Sequence, residues 1–558
     1  MPEATEEQTW WELTTYGILA RAARLWPHRE AVVTPRERLT YAQLAAWVHS
    51  LAYGLLQAGV GPSDHVATLF GTRSEWIALQ YALGCIGAVV VPLNTRLQPE
   101  ELRYALGRVE ATAVVTMDRD GGQEFLPRLE IACPELSGAR EGVVESALLP
   151  RLRLAACFSP GGQRYANYLD FQRLAWPADE VDHDLLGRTS RAVKPEDVAT
   201  ILFTSGSTGF PKGAMLTHRN LAGQAHHQSR LIRLQPDDRY VNMMPIFHCG
   251  GYVSGVLTNH YACDTFCLVD TFDAEEILQV SIEERITVWL GFPTVINRVL
   301  DLAEQQHSDL SSIQKAHIPY PKTWDRVLQE SGATHMTTLY GLTEGGGIVT
   351  MTPLEEKDPA QRRDTHGAPL PGVSVRIVDP ETGEEVPRGQ PGEITFRGWN
   401  RFEGYYGDPE RTAATIDDQG YCYTGDRGLM GEDRHLRFLG RYKEMIKTGG
   451  ENVSQLEVER FLEQRISGVA TACVVGVPDP VWDEAVTAVI ELEPGSHLSH
   501  EEVQAQCRGH IASFKIPKHV LFRPDGGWPL VGSGKVDKTA LRSWAMRELG
   551  ISSQEGQA

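Results

Sequence analysis

The 558-residue sequence predicts a mixed α/β protein with a large N-terminal domain and a small α+β C-terminal domain. Three observations support this prediction. Helix-like and strand-like segments alternate from Arg38 to Thr116. The stretch from Gly367 to Arg397 is rich in strand-like segments that Pro and Gly residues interrupt, and the pattern changes again after Arg441. A chain of this length is also too long for one ordinary hydrophobic core, so more than one packed unit is expected.

The alternation near the N-terminus is typical of parallel sheets covered by helices. The less periodic stretch from Asp118 to Pro195 is expected to carry surface loops. The periodicity before it predicts helices at Tyr41–Ala58, Ser74–Cys85 and Pro99–Gly107, and strands at Val66–Phe70, Ala88–Leu93 and Thr112–Thr116.

Two further units follow along the chain. The segments GVSVRIVD and GEITFRG within Gly367–Arg397 predict an antiparallel, barrel-like unit that completes the large domain. After Arg441 the pattern predicts a small α+β domain with helices at Gln455–Gln464 and Glu501–Ile511 and strands in ACVVGV, AVTAVIELE and HVLFR. The predicted domains are therefore residues 1–440 and 441–558.

The charge and cysteine content predict a cytoplasmic protein. The 53 basic and 73 acidic side chains give a net charge of -20, which disfavours nucleic acid and anionic membrane surfaces as partners. Nine cysteines without metal-ligand spacing fit a reducing compartment. The N-terminus lacks the pattern of a signal peptide, and the longest apolar run, Leu79–Leu93, is shorter than a membrane span, so no membrane insertion is expected.

The most informative segment is TSGSTGFPKG, Thr204–Gly213, which follows the strand-like VATILF. Glycines and hydroxyl side chains leave backbone N–H groups free to surround phosphate oxygens, and Lys212 adds a point charge. A flexible surface loop is the alternative, but the rigid Pro211 beside Lys212 argues against it. The pattern does not fit a P-loop, because Gly213 follows the lysine. The predicted nucleotide-binding residues here are Thr204, Ser205, Gly206, Ser207, Thr208, Gly209 and Lys212.

This loop resembles the signature of the adenylate-forming superfamily, which contains acyl-CoA synthetases, luciferases and nonribosomal-peptide adenylation domains. Two further segments resemble the family's motifs in the family's order: YGLTEGGG at Tyr340–Gly347 and YTGD ending at Asp426. The resemblance implies that Tyr340 stacks on the adenine of ATP and that Thr343 contacts the α-phosphate. It also implies that Glu344 helps to hold Mg²⁺, which prefers oxygen ligands, and that Asp426 binds the ribose.

The resemblance extends into the C-terminal part, where it implies a mobile domain that rotates between two half-reactions. In GRYKEMIKTGGENVS it places Arg441 near the ribose and Lys443 at the hinge. In PLVGSGKVDK it assigns Lys535 to the adenylation step, bridging the acyl carboxylate and the α-phosphate. Gly449 and Gly450 would leave room for the pantetheine arm of CoA, because glycine has no side chain.

On the acyl side, MMPIFHCGG resembles a family segment in which a histidine lies beside the carboxylate channel. His248 is therefore predicted to orient the acid, although a histidine among apolar residues is more often packed in a core. Glycines in GFPT, Gly291–Thr294, and after Glu344 would leave space for a bulky acid.

One segment departs from the family. Relatives usually follow a DLSSL-like strand with a GGAP-like turn, whereas DLSSI here runs into QKAHIPYPKTW without a glycine pair. One wall of the adenosine pocket is therefore expected to differ, which raises the hypothesis that adenylation is weak or lost. The leading prediction stays an AMP-forming acyl-CoA ligase that uses a carboxylic acid, ATP, Mg²⁺ and CoA.

Three alternatives stay open at this stage. The first is an enzyme that takes a ready-made acyl-adenylate (acyl-AMP) and only forms the thioester. The second is an adenylating enzyme that loads a carrier protein, which the basic stretch Ala505–Leu549 disfavours because it suits the phosphates of free CoA. The third is a non-catalytic binder, which has no need of Lys535. The sequence leaves the oligomeric state open, with a homodimer as one alternative.

Overall fold

The computed structural model describes residues 9–204, 211–269, 273–291, 293–318, 321–442, 445–493, 495–523, 527–529 and 536–551. Contacts between Cα atoms divide the chain into two compact units. The larger unit comprises Met1–Thr95, Leu102–Phe203 and Gly213–Gly440, and the smaller comprises Arg96–Glu101, Thr204–Lys212 and Arg441–Ala558. The predicted fold class is confirmed, because parallel sheets dominate the larger unit and a smaller α+β domain follows.

Two mostly parallel sheets form the body of the larger unit. The first has seven strands in the order His335–Thr337, Lys315–His317, Val288–Leu290, Arg239–Asn242, Thr265–Cys267, Glu30–Val33 and Arg38–Thr40. Every pairing in it is parallel except that of the last two strands, which form a hairpin. The side chains of this sheet are mostly buried on both faces, as expected for parallel strands covered by helices.

The second sheet has eight strands and contains the strands predicted before residue 117. Its order is Gly404–Tyr405, Lys212–Thr217, Val198–Thr204, Val89–Pro92, His65–Leu69, Ala113–Met117, Leu154–Phe158 and Leu169–Asp170. The prediction of surface loops between Asp118 and Pro195 is wrong in part, because Leu154–Phe158 is a fully buried strand that pairs with Ala113–Met117. Two of its five residues are alanine, which is depleted in strands, and this explains the error.

Helices cover both sheets, and those predicted near the N-terminus appear within one or two residues of their predicted bounds. Side-chain caps start several of them: Thr40 and Gln43 form a reciprocal capping box at the first long helix. Up to residue 415 the α-helices are Thr15–Leu25, Tyr41–Gln57, Ser74–Ile86, Pro99–Arg108, Leu126–Ala132, His183–Ala192, His218–Ile232, Thr258–Ala262, Ala274–Glu283, Pro293–Gln306, Pro321–Glu330, Pro359–Asp364 and Pro409–Thr415. A π-helix spans Gly250–Leu257.

The antiparallel unit is a four-stranded sheet with the order Val373–Val378, Gly392–Gly398, Cys422–Met430 and Leu436–Arg441. A separate three-stranded ladder pairs Leu339–Tyr340 with Thr350–Met351 and then with Ala368–Pro369. These two small sheets carry Tyr340 and Asp426, so they matter for the candidate site.

The smaller unit has its own sheet, in the order Glu451–Ser454, Met445–Thr448, Asp483–Leu492 and Val469–Asp479, and His519–Phe522 also pairs with Asp483–Leu492. Its helices are Gln455–Arg465, His500–Cys507 and Lys538–Glu548. The second of these was predicted to reach Ile511. It ends at Cys507 because Arg508 is extended and Gly509 has a φ of +79°.

A search of the described residues for a helix long and apolar enough to cross a membrane finds none.

A buried acidic residue stands out in the larger unit. Asp264 is fully buried, and neither of its side-chain oxygens has a hydrogen-bond partner in the part of the chain that the structure describes. Burial raises the pKa of this carboxyl well above its usual range, and the nearby Asp238 adds to the effect. The carboxyl group therefore keeps its proton in the folded state at pH values where the unfolded chain has lost it.

We predict that Asp264 makes the folded state less stable as pH rises. Its contribution is complete below the unfolded pKa, about 3.9, and is lost as pH rises through the higher folded pKa. Compared with Asp264→Asn, the wild type should lose up to about 1.4 kcal/mol of unfolding free energy per pH unit in that window. Urea unfolding at pH 5 to 9 measures this difference.

The control is Asp237→Asn, because Asp237 is an exposed aspartate in the same region of the chain. Its unfolding free energy should follow the wild type across the pH series. Parallel curves for the wild type and Asp264→Asn would contradict the prediction.

Candidate active site

The segment YGLTEGGG lies between two short antiparallel strands. Tyr340 pairs with Thr350, and the intervening chain makes a 3-10 turn at Thr343–Gly345. Gly346 and Gly347 then adopt φ values of +68° and +125°, which residues with side chains rarely tolerate. The glycines thus let the chain turn back sharply and present Thr343 and Glu344 from one loop, the TEGG loop, defined as residues 343–348.

Close backbone packing makes another glycine of this segment necessary. A Cβ atom on Gly341 would lie 1.8 Å from the carbonyl oxygen of Gly347. The two ends of the loop therefore approach each other more closely than any side chain allows.

Tyr340 and Asp426 meet in the folded chain. The Tyr340 hydroxyl donates a hydrogen bond of 2.7 Å to Oδ2 of Asp426, and both side chains are buried. The Tyr340 ring also stacks on Phe438, with ring centroids 5.7 Å apart. Two residues that the resemblance assigns to adenine and ribose, 86 positions apart in sequence, are thus direct neighbours.

Glu344 is held by a tyrosine that the sequence did not single out. The Tyr405 hydroxyl donates a hydrogen bond of 2.8 Å to Oε1 of Glu344. Burial, together with the Glu344 carboxylate, raises the pKa of Tyr405, so this hydroxyl remains a donor. Tyr405 lies in the edge strand Gly404–Tyr405, which pairs with Lys212–Thr217 in the eight-stranded sheet.

Cys249 lies beside the TEGG loop. Burial raises the pKa of its thiol to about 12, although a hydrogen bond with Thr343 acts in the opposite direction. The thiol is therefore neutral and serves as a small packing group against Thr343 rather than as a nucleophile.

His248 is half-buried, and Cys249 alone separates it from the start of the π-helix Gly250–Leu257. Its carbonyl oxygen accepts a hydrogen bond of 2.9 Å from the backbone of Tyr252, and its ring lies 4.6 Å from that of Phe247. π-Helical turns are frequent at functional sites. The role of His248 in orienting the acid stays a prediction.

The predicted phosphate loop is described only at its two ends. Thr204 is the last residue of the strand Val198–Thr204, and Lys212 is the first of the adjacent strand Lys212–Thr217. The residues between them that were assigned to phosphate, Ser205, Gly206, Ser207, Thr208 and Gly209, lie outside the described residues, as do Lys443 and Lys535. The backbone of Arg441 ends the strand Leu436–Arg441.

Gly449 and Gly450 form the turn between the strands Met445–Thr448 and Glu451–Ser454. Their φ values are +56° and +80°, so both occupy the left-handed region that favours glycine. A Cβ atom on Gly449 would lie 2.4 Å from the ring of Trp482, whose carbonyl oxygen accepts a hydrogen bond from the Gly449 amide. Gly449 is thus required by both its conformation and its neighbour.

The segment that departs from the family is described on both sides of residues 319 and 320, which lie outside the described residues: a parallel strand ends at His317 and a helix begins at Pro321. His317 ends the strand Lys315–His317, is fully buried and contacts the Thr337 hydroxyl through Nδ1 at 2.6 Å. Burial, with His335 nearby, lowers the pKa of His317 to about 3, so the imidazole is neutral. A neutral, buried histidine therefore ends the strand that precedes the altered turn.

Comparison with known families matches two models to this chain. The model described as AMP-binding enzyme matches residues 19–406, and the model described as AMP-binding enzyme C-terminal domain matches residues 457–535. The first match alone covers more than half of the chain and includes Tyr340, Thr343 and Glu344.

Curated relatives are similar over nearly the whole chain. A putative acyl-CoA synthetase, YngI, of Bacillus subtilis is 35% identical, with 96% of this chain and 98% of the relative aligned. A methyl-dioxo-octahydroindenyl-propanoyl:CoA ligase of Rhodococcus jostii is 33% identical, over 96% and 99% of the two chains. The mitochondrial medium-chain acyl-CoA ligase ACSF2 of Homo sapiens is 30% identical, over 96% and 88%.

Solved structures show the same extent of similarity. ATP-bound MatB from Rhodopseudomonas palustris is 29% identical, with a TM-score of 0.65 over 96% of this chain and 100% of that chain. The amide bond synthetase McbA from Marinactinospora thermotolerans is 26% identical, with a TM-score of 0.79 over 95% and 99%. The similarity therefore spans both the large and the small unit.

We predict that Gly341→Ala destabilises the larger unit. The new methyl group meets a backbone oxygen that cannot rotate away, so the unfolding free energy should fall by about 1–3 kcal/mol. Gly61→Ala is the matched control, because a Cβ at Gly61 has no atom within 4 Å. Urea unfolding compares the two variants, and equal midpoints would refute the steric argument.

Proposed function

We propose a residue-level account of catalysis for this chain, which belongs to the AMP-binding enzyme family and is an AMP-forming acyl-CoA ligase. In the first half-reaction a carboxylate attacks the α-phosphorus of ATP, giving an acyl-adenylate and pyrophosphate. In the second, the CoA thiol attacks the acyl carbon, giving the acyl-CoA thioester and AMP.

The buried contact between Tyr340 and Asp426 is the observation that carries the proposal. In our account the Tyr340 ring lies against adenine, while the Asp426 carboxylate accepts hydrogen bonds from the ribose hydroxyls. The 2.7 Å bond between the two side chains couples these subsites. The resemblance also assigns Arg441, the last residue of the strand Leu436–Arg441, to the ribose.

The TEGG loop would serve the phosphates. Its Thr343 hydroxyl would donate a hydrogen bond to the α-phosphate. The Glu344 carboxylate would supply oxygen ligands, which Mg²⁺ prefers. A Mg²⁺ ion bound there would neutralise negative charge on the phosphates. Tyr405 contributes by fixing the carboxylate of Glu344 at 2.8 Å.

We assign the remaining steps to residues that the resemblance supports. Ser205, Gly206, Ser207, Thr208 and Gly209, flanked by Thr204 and Lys212, would surround the β- and γ-phosphates with N–H and O–H donors. Lys535 would stabilise charge that develops on the α-phosphate. Lys443 would act as the hinge, and Gly449 with Gly450 would leave a passage for pantetheine.

The proposed substrate is an apolar acid whose carboxylate sits on a saturated chain. The names of two relatives support this class: one acts on a ring-bearing propanoyl group, the other on medium-chain acids. Both substrates place methylene groups between the carboxylate and any bulky part. His248 would orient that carboxylate.

The comparisons favour the complete ligase over the alternatives raised by the sequence. Curated relatives are named as CoA ligases, and this favours free CoA over a carrier protein as the acceptor. The strand that leads into the altered segment ends at His317, which is hydrogen-bonded to Thr337. We therefore propose that adenylation is retained.

We further propose a cytoplasmic location. In support, all nine cysteines are free thiols, as expected in a reducing compartment. A homodimer stays a prediction, and light scattering would test it by measuring the molar mass in solution.

The ligase activity predicts acid-dependent formation of AMP, pyrophosphate and acyl-CoA. With ATP, Mg²⁺ and CoA, octanoate and 3-cyclohexylpropanoate should give kcat/KM values at least tenfold above that of benzoate, since only they have a flexible methylene arm. Product formation is followed by chromatography.

Two other outcomes would overturn parts of this account. Thioester formed from synthetic octanoyl-adenylate and CoA, without pyrophosphate release from any acid and ATP, would mean that adenylation is lost. Pyrophosphate release without any thioester would indicate a different acceptor.

Asp426→Asn should raise the KM for ATP about tenfold with a smaller effect on kcat, because hydrogen bonds to a charged group contribute about 1.5–3 kcal/mol. Asp418 is exposed and lies in the same region of the chain, so Asp418→Asn serves as the control. Initial rates at varied ATP provide the measurement. An unchanged KM would remove Asp426 from the ribose site.

A further inference from the structure

Gln224 has no assigned role in the proposed mechanism, yet it holds the loop on which that mechanism depends. We infer that Gln224 is a positioning residue whose buried amide fixes the TEGG loop, and with it Thr343 and Glu344, for adenylation. The inference rests on the proposed function of that loop.

The Gln224 amide makes two hydrogen bonds to the loop backbone. Its Nε2 group donates to the carbonyl oxygen of Gly345 at 2.8 Å and to that of Ile348 at 2.6 Å. The side chain is fully buried. One amide thus joins the residue that follows Glu344 to the end of the loop.

The loop needs such an external donor. Its own backbone bonds are confined to short turns: the amides of Gly345 and Gly347 both donate to the carbonyl of Leu342. The carbonyl groups of Gly345 and Ile348 lie beyond those turns and accept from side chains instead. Removing the Gln224 amide would take from the Gly345 carbonyl its described donor, at a cost of about 1–3 kcal/mol, and would leave Asn400 as the described donor to Ile348.

A second glutamine fixes the orientation of the first. Nε2 of Gln228, one helical turn later and also fully buried, donates to Oε1 of Gln224 at 2.9 Å. With its oxygen engaged as an acceptor, Gln224 presents its NH₂ group to the loop. The two residues form a directed chain of amides within the helix His218–Ile232.

The same helix is tied to the neighbouring segment 399–401. Nδ2 of Asn220 donates to the carbonyl oxygens of Trp399 and Arg401, and Nδ2 of Asn400 donates to that of Ile348. These amides connect three segments that are far apart in sequence.

The helix is itself anchored where it begins. Thr217 and Asn220 form a capping box at its first turn, directly after the strand Lys212–Thr217. That strand pairs with the one bearing Tyr405, which holds Glu344 from the other side. The carboxylate of Glu344 and the backbone beside it are thus fixed by separate elements of one sheet-and-helix unit.

The test compares Gln224→Met with Gln80→Met. Methionine keeps the length of glutamine but removes both donors. Gln80 is equally buried, and its Oε1 accepts a hydrogen bond from the Tyr252 hydroxyl at 3.0 Å, outside the TEGG loop. Octanoate-dependent pyrophosphate release would be measured at varied ATP and Mg²⁺, beside thioester formation from octanoyl-adenylate and CoA.

We expect Gln224→Met to lower kcat for pyrophosphate release by about 10- to 100-fold, since small displacements of positioned groups have effects of that size. The Mg²⁺ concentration for half-maximal rate should rise with it, while thioester formation from the adenylate changes less than threefold. Gln224→Asn, which keeps a shorter amide, should fall between. Gln80→Met should keep the wild-type Mg²⁺ dependence.

Equal Mg²⁺ dependence and equal kcat in Gln224→Met and Gln80→Met would overturn the inference. If Gln224→Met does not fold, Gln224→Asn decides: a wild-type Mg²⁺ requirement in that variant also overturns it. A wild type that releases no pyrophosphate with any acid would instead refute the proposed function, so the two failures are distinguishable.

Discussion

The hydrogen bond between Tyr340 and Asp426 joins two sheets that have no strand pairing with each other. Tyr340 belongs to the three-stranded ladder and Asp426 to the four-stranded antiparallel sheet. Because both side chains are buried, separating them would break a hydrogen bond that water could not readily replace. The bond therefore helps to hold the ladder, from which the TEGG loop emerges, against the four-stranded sheet, together with the backbone hydrogen bonds that His366 and Gly367 exchange with Leu436.

Around this bond the larger unit uses neutral groups to hold charged ones. Tyr405 contacts Glu344 through a hydroxyl, and Gln224 contacts the adjacent backbone through an amide. A lysine or arginine in either place would compete for the carboxylate that the proposed mechanism gives to Mg²⁺. Neutral donors fix position without neutralising charge, and this suits a site that must bind a polyanion together with its cation.

Much of the fold could be predicted because its elements are locally consistent. Helix Tyr41–Gln57 has both a clear period and a capping box, and its predicted end was one residue away. The strand Leu154–Phe158 was missed because its short sequence, with two alanines in five residues, has a weak local pattern and is stabilised by its neighbour in the sheet. The motifs around Tyr340 and Asp426 predicted the candidate site, but Tyr405 and Gln224 lie 61 and 121 residues from their partners. Contacts at such separation leave no local pattern.

The contact between Gly449 and Trp482 constrains how this part of the chain can evolve. A side chain at 449 would need the space that the indole fills and a backbone conformation that only glycine adopts easily. A smaller residue at 482 would free the space but leave the φ of +56° unchanged. Neither substitution compensates for the other, so homologues that keep this turn should keep the glycine whatever stands opposite it. The turn is thus fixed by its backbone first and by its neighbour second.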